Sequence, residues 1–202
     1  MLKFLFTAFI VTIFLTGCAT QRGTINTFYE PSYQQGSIST LVVPTIRNAR
    51  LAPSESQQIG RTINQAVIAK NPRIKIVSAN KFSNFLNNEG LVDDYSDFIE
   101  DYVTSGIANR EFLQKLANNG YDGIMMGELS NAFQQDGAYG AHKAQSRITI
   151  GFTVINTRTN DIVWTASADG IKGSVTTIDR APPLIEAVNL AVDKIKESAP
   201  IL

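Results

Sequence analysis

The rhythm of apolar and polar positions changes several times along the chain. Phe4 to Leu15 is apolar except for Thr7 and Thr12 and follows a single charge at Lys3. From Ala19 to Ser37 the chain is rich in Thr, Gln, Asn, Ser and Gly, with few aliphatic residues and no period. Such a stretch buries too little apolar surface to offset the entropy of ordering it, so it reads as a tether. Fully extended at about 3.3 Å per residue, it would reach roughly 60 Å. A patterned region begins at Ile38. Leu41, Val42 and Val43, stopped by Pro44, suit a strand buried on both faces. Ile59, Ile63, Ala66 and Val67 recur at helical spacing behind Pro53, with a capping box at Ser54 and Gln57 and a stop at Asn71-Pro72. Ile74 and Ile76 alternate with Arg73 and Lys75, as in a strand with one wet face.

Three helical stretches follow. Asn80 caps the first, which carries Phe82, Phe85 and Leu86 and ends at Gly90. The second, from about Asp93 to Val103, sets Tyr95, Phe98, Ile99, Tyr102 and Val103 against an acidic side of Asp93, Asp97, Glu100 and Asp101. That side lacks the alternating ligands and glycine of an EF-hand loop and reads as a solvated helix face. Asn109 caps the third, where Phe112, Leu113, Leu116 and Ala117 point inward and Gly120 provides the left-handed C-terminal turn. YDGIMMGEL, from Tyr121 to Leu129, reads as a central strand whose Gly123 and Gly127 permit close packing. Beyond a glycine-rich loop from Gln134 to Ala144, Ile148, Ile150, Phe152 and Val154 alternate. Thr157 to Asn160 makes a turn, and Ile162, Trp164, Ala166 and Ala168 alternate back, predicting an antiparallel hairpin. Leu184, Val188, Ala191, Val192 and Ile195 predict a final amphipathic helix. The order β-α-β-α-α-α-β-β-β-α predicts a single α/β domain over residues 38–202, a mixed sheet of about five strands covered by helices.

Composition narrows the function. With 18 basic and 18 acidic residues among 202, the chain has no basic footprint for nucleic acid and no strong field for an anionic surface. The one cysteine is Cys18, so a disulfide within the chain is excluded. The apolar run ahead of it is shorter than the roughly 20 residues a spanning helix needs, so it reads as a secretory signal. Leu15-Thr16-Gly17-Cys18 resembles the bacterial lipobox, in which the cysteine sulfur receives a diacylglycerol and becomes the acylated first residue. The resemblance implies a signal peptide over residues 1–17, lipidation at Cys18 and a lipidated tether over 18–37. Two or three acyl chains, at about 0.8 kcal/mol per buried methylene, hold a protein to a bilayer without a spanning helix. Ala19 stands where lipoproteins of the inner membrane often carry Asp, which by the same resemblance points to the outer membrane, with the domain facing the periplasm.

The segments LVVPTIRN, IKIVSANKF, FLQKLANNGYDGIMMGEL and ITIGFTVINTRTNDIVWTASADG occur in an order that resembles the periplasmic α/β domain of the CsgG/LpoB/TolB N-terminal-like family. The resemblance runs from about Ile38 to Lys196. The hairpin turn carries most of it: relatives read T-G-x-I-V-W, and this chain has Thr159-Asn160-Asp161-Ile162-Val163-Trp164. Asn replaces the glycine, and Asn tolerates the left-handed conformation better than other side chains. These signatures specify fold more than activity. The resemblance implies a non-catalytic interaction or assembly factor, either an activator of cell-wall synthesis or an accessory of a secretion or appendage apparatus. A curli-type channel subunit is an alternative, but it needs two membrane-inserting hairpins, which neither Leu91 to Ile107 nor Gln134 to Ala144 supplies.

An enzyme remains the other reading. His142 is the single histidine, and no G-x-S-x-G elbow accompanies it. Asp122, Glu128 and Asp136 flank the strand at Tyr121 to Leu129 and could serve an envelope hydrolase, although nothing in their spacing singles out a pair. No metal site or cofactor is implied. The expected partners are the membrane, through Cys18, and another envelope protein, with a homo-oligomer as a further possibility. Candidate contacts are Tyr139 and His142 in the glycine-flanked loop and Phe28, Tyr29 and Tyr33 in the tether, since such aromatics supply contact area with adaptability.

Overall fold

The computed structural model describes residues 21–48, 50–139, 141–175 and 177–202. The signal-peptide reading over 1–17 and the lipidation reading at Cys18 lie outside the described residues. Six strands form one mixed sheet: β1 (Gln21–Tyr29), β2 (Thr40–Val43), β3 (Lys75–Ser78), β4 (Gly123–Gln135), β5 (Gln145–Asn156) and β6 (Ile162–Gly173). Their spatial order is β1-β6-β5-β4-β2-β3. The contacts among β1, β6, β5 and β4 are antiparallel, whereas β2 pairs in parallel with both β4 and β3. Among the described residues five helices cover it: α1 (Pro53–Lys70), α2 (Ala79–Glu89), α3 (Val92–Ser105), α4 (Arg110–Asn118) and α5 (Leu184–Glu197). The predicted α/β class and order of the later elements therefore hold.

The sixth strand is the main departure. Within the stretch expected to be a tether, Gln21–Tyr29 forms the edge strand β1, hydrogen-bonded along its length to β6. Its inward positions Gly23, Ile25, Thr27 and Tyr29 alternate with Arg22, Thr24, Asn26 and Phe28, and only Ile25 is aliphatic. A residue without a side chain is required at Gly23 because α5 lies almost on the strands there. Gly23 pairs with Gly170, and a Cβ on Gly23 would come 2.9 Å from the Leu190 carbonyl oxygen, while one on Gly170 would overlap the Ala187 carbonyl oxygen. The glycine pair thus forms a trough for α5, which adds Ala187 and Ala191, both fully buried, from its own side.

Two apolar clusters sit on opposite faces of the sheet. On the inner face Ile59, Ile63, Ala66 and Val67 of α1 and Val188, Val192 and Ile195 of α5 pack against Leu41, Val43, Met125, Phe152, Val154 and Trp164. On the outer face Phe82 and Leu86 of α2, Phe98 of α3, and Phe112, Leu113 and Leu116 of α4 pack against Val42, Val77, Ile124 and Ile155. Phe98 meets Phe112 at a centroid distance of 5.0 Å and Tyr95 meets Phe82 edge-on at 5.3 Å.

Caps agree with sequence in part. The Asn109 side chain accepts from the N–H groups of Glu111 and Phe112 at 3.0 and 3.3 Å, satisfying two donors left over at the start of α4. At α1 the cap differs from the predicted Ser54/Gln57 box: Ala52 is the N-cap, and Glu55 reaches back to accept from its N–H at 2.8 Å. Ser78, rather than Asn80, precedes α2. In the β5–β6 turn Asn160 adopts φ 66°, alone in the left-handed region among the described non-glycine residues, as the Asn-for-Gly exchange predicted.

At the turn end of the sheet the Asp122 carboxylate accepts from Ser39 Oγ at 2.5 Å, Thr40 N–H at 3.0 Å and Arg158 Nη2 at 2.9 Å. Burial by itself would raise its pKa, but the bonds from Ser39, Arg158 and Thr40 outweigh that and lower it. The clamp joins the start of β2 to the hairpin turn.

Candidate interaction site

The helices do not cover the outer face evenly. α2, α3 and α4 lie over β2, β3, the first residues of β4 and the last of β5, and among the described residues no helix covers the outer face of β1, most of β6 and the rest of β5 and β4. Strand alternation and register decide what this bare half presents. One cross-strand row runs Phe28, Thr165, Thr153, Met126, and the next runs Asn26, Ser167, Gly151, Glu128. A third runs Thr24, Asp169, Thr149, Asn131, in which Thr149 Oγ1 donates to Asp169 at 2.6 Å. None of these twelve residues is buried.

Phe28 is 48% exposed and lines a shallow groove of about 320 Å³ with Gly151, Thr153, Thr165 and Ser167. A second groove, of about 190 Å³, continues from Gly151 and Thr153 to Ile99, Tyr102 and Val103 of α3. Val103, which lines it, is an exposed apolar residue. The surface combines hydroxyl rows, which can donate and accept, with apolar contacts at both ends.

A cleft of about 620 Å³ opens between β2's C-terminal extension and α2 and α3, lined by Arg47, Phe82, Leu86, Tyr95 and Ile99. It lies beyond the C-terminal end of β2, which pairs in parallel with β3 on one side and β4 on the other, the place where open α/β sheets commonly receive ligands. Arg47 lines both this cleft and the α3 groove. Its backbone is fixed on β4 by bonds to Gly127 and Leu129 at 2.9 and 3.0 Å. Burial raises the Tyr95 hydroxyl to about 12, with the Arg47 charge opposing it, so Tyr95 stays protonated at neutral pH.

The five aromatic and histidine candidates separate into three groups. Phe28 belongs to the bare face. Tyr29, on the opposite side of β1, leans on Trp164 at a centroid distance of 6.5 Å, and Tyr33 packs against the inner core. Burial raises both hydroxyls, opposed by contacts to Ile201 and Trp164 at Tyr29 and to Ser37 and Ile38 at Tyr33. Tyr139 and His142 sit in the β4–β5 loop at the far end of the sheet. His142 Nε2 lies 3.1 Å from the Asp136 carbonyl oxygen, and Tyr139 is 90% exposed.

The carboxylates proposed for hydrolysis are also dispersed. Asp122 precedes β4 and is engaged in its clamp. Asp136 follows β4, where it accepts from the Ala181 N–H at 2.7 Å. The 13-residue strand between them spans about 40 Å at ordinary strand rise. Glu128 stands alone in the middle of the outer face. The segment considered for a channel hairpin, Leu91 to Ile107, contains helix α3, and Gln134 and Gln135 end β4 before the loop begins. Among the described residues no helix is long and apolar enough to cross a membrane.

Sequence reasoning missed the bare face and the cleft, because both arise from neighbours distant in the chain. The alternation of Thr149, Gly151 and Thr153 on β5 was a signal for the former.

No family model matches this sequence, and no curated protein matches it. Among solved structures, the chain is similar to the PelC dodecamer from Paraburkholderia phytofirmans, at 12% identity and TM-score 0.48, with 86% of this chain and 94% of that one covered. It is similar to lipoprotein GNA1162 from Neisseria meningitidis, at 12% identity and TM-score 0.47, with 80% and 98% covered. It is also similar to the LpoB C-terminal domain from Salmonella enterica, at 17% identity and TM-score 0.40, with 69% and 85% covered. Likeness at this level carries no functional argument.

Proposed function

We propose that the protein is a lipid-anchored lipoprotein of the bacterial envelope whose domain binds and positions another envelope protein without catalysing a reaction. The carrying observation is the uncovered outer half of the sheet, a rank of Thr and Ser hydroxyls bounded by Phe28 at one edge and by Met126 and Val103 toward α3. The lipobox at Leu15 to Cys18 supports the anchor, and Ala19 favours the outer membrane over the inner. The partner belongs to cell-wall synthesis or to a secretion or appendage apparatus, the two roles that the family resemblance implies.

Photocrosslinking side chains placed at Phe28 and Val103 in cells test this reading, with Gln58 on the exposed side of α1 as control. The expected outcome is one adduct of the same heterologous envelope protein from both positions and none from Gln58. Adducts with a second copy of this chain would make the face a self-assembly surface. Absence of any adduct at both positions would refute the reading.

A further inference from the structure

β1 begins at Gln21, opposite Lys172 near the end of β6, and Gln145 at the start of β5 lies opposite Gln135 at the end of β4. Two loops project from this same end of the sheet, 136–144 and 174–183. They are knit into one tip. The Gly137 N–H donates to the Asp179 carbonyl at 2.9 Å, and the Ser174 N–H donates to the Ala144 carbonyl at 2.9 Å. The Asp136 carboxylate holds the Ala181 N–H, and Gly137 passes so close to Thr177 that a Cβ there would overlap its carbonyl oxygen. On this braced tip Tyr139 is 90% exposed, Ile178 73% and Val175 45%. Lys143 and Arg180 stand exposed beside them.

Chain length fixes what the tip faces. Three residues carry the chain from Cys18 to Gln21, about 10 Å at full extension. A lipid on Cys18 therefore brings this end of the sheet to the bilayer and leaves the Asp122–Arg158 end pointing away. We propose that the tip docks on the phospholipid surface that holds the Cys18 lipid. Val175 and Ile178 enter the interface, Tyr139 sits at headgroup level with its hydroxyl toward water, and Lys143 and Arg180 meet the phosphates. The inference rests on the lipidation reading, and it turns a single attachment point into a fixed orientation of the bare sheet face relative to the membrane.

The test uses the full lipidated chain in vesicles of phosphatidylethanolamine and phosphatidylglycerol, spin-labelled singly through Tyr139→Cys, Ile178→Cys or, at the opposite end, Thr159→Cys. Labels at 139 and 178 are expected to lose collisions with a water-soluble nickel chelate and to gain collisions with oxygen, while the label at 159 keeps its water values. Water values at all three positions overturn the docking. So does loss of both kinds of collision at 139 and 178, which places them against protein, such as a second copy. The mass of the same sample reports the lipid separately. A lipidated chain with water-exposed labels refutes the docking and leaves the anchor standing; an unlipidated chain refutes both, because nothing then sets the distance of the tip from the bilayer.

Discussion

Around β2 the sheet is enclosed on both faces, whereas across β1 and β6 it is enclosed on one. In the enclosed half, Leu41, Val42 and Val43 succeed one another without a polar position, and each is buried. In the half-clad region, the inward Trp164, Ala166 and Ala168 alternate with Thr165, Ser167 and Asp169, which no helix among the described residues covers. The contrast teaches that the same backbone arrangement serves two purposes. Where both faces are covered, side chains supply the core; where one face is open, they supply stability inward and a contact surface outward.

Removing cover from the enclosed half should cost most. Phe98→Ala leaves a hole among Phe112, Tyr95 and Tyr102 that these rings cannot refill, and the expected loss is about 3–5 kcal/mol by chemical denaturation. A loss under about 1 kcal/mol would mean that α3 is not part of the core.

The half-clad region has its own weak point in the glycine trough. Gly170→Val pushes α5 away from β6 and is expected to cost about 1–3 kcal/mol or more. Gly151→Ala, on the bare face with only the Ala166 carbonyl oxygen nearby at 3.8 Å, should cost well under that. Equal costs for the two would erase the distinction between the faces.

Asp122 ties β2, in the enclosed half, to the turn of the β5–β6 hairpin. Because its folded pKa is lowered, it contributes stability that is fully present above the ordinary carboxylate range and is lost as pH falls below that range through the lowered folded value. Asp122→Asn is expected to cost about 1–2 kcal/mol at neutral pH and to flatten the acid limb of the stability curve. An unchanged acid limb would remove the clamp from the account.

The smallest stability effect belongs to the bare face. Phe28→Ser should change folding stability by no more than about 0.5 kcal/mol while abolishing the heterologous crosslink from Val103. Intact crosslinking would confine the contact to α3.

Legibility followed the same division. Buried helix stripes such as Phe112, Leu113, Leu116 and Ala117, and the long alternation from Ile148 to Val154, could be read directly, because each position's apolarity answers to a single covering layer. The Asn160 turn was legible because local backbone conformation limits which residues fit. β1 was not, since its inward Gly23 answers to the nearness of α5, more than 160 residues later in the chain. The pairing of Tyr139 with Ile178 on one tip was equally hidden, as it depends on two loops being knit across the end of the sheet.

By itself, then, the sequence determined the α/β class, the helices and the hairpin, because these depend on periodicity and local conformational chemistry. Tertiary structure alone decided that the N-terminal segment is a strand, which half of the sheet stays open and which loops share an end with Gln21. Strand pairing joins residues far apart in the chain, and its register is set by packing and hydrogen bonding that no single segment contains.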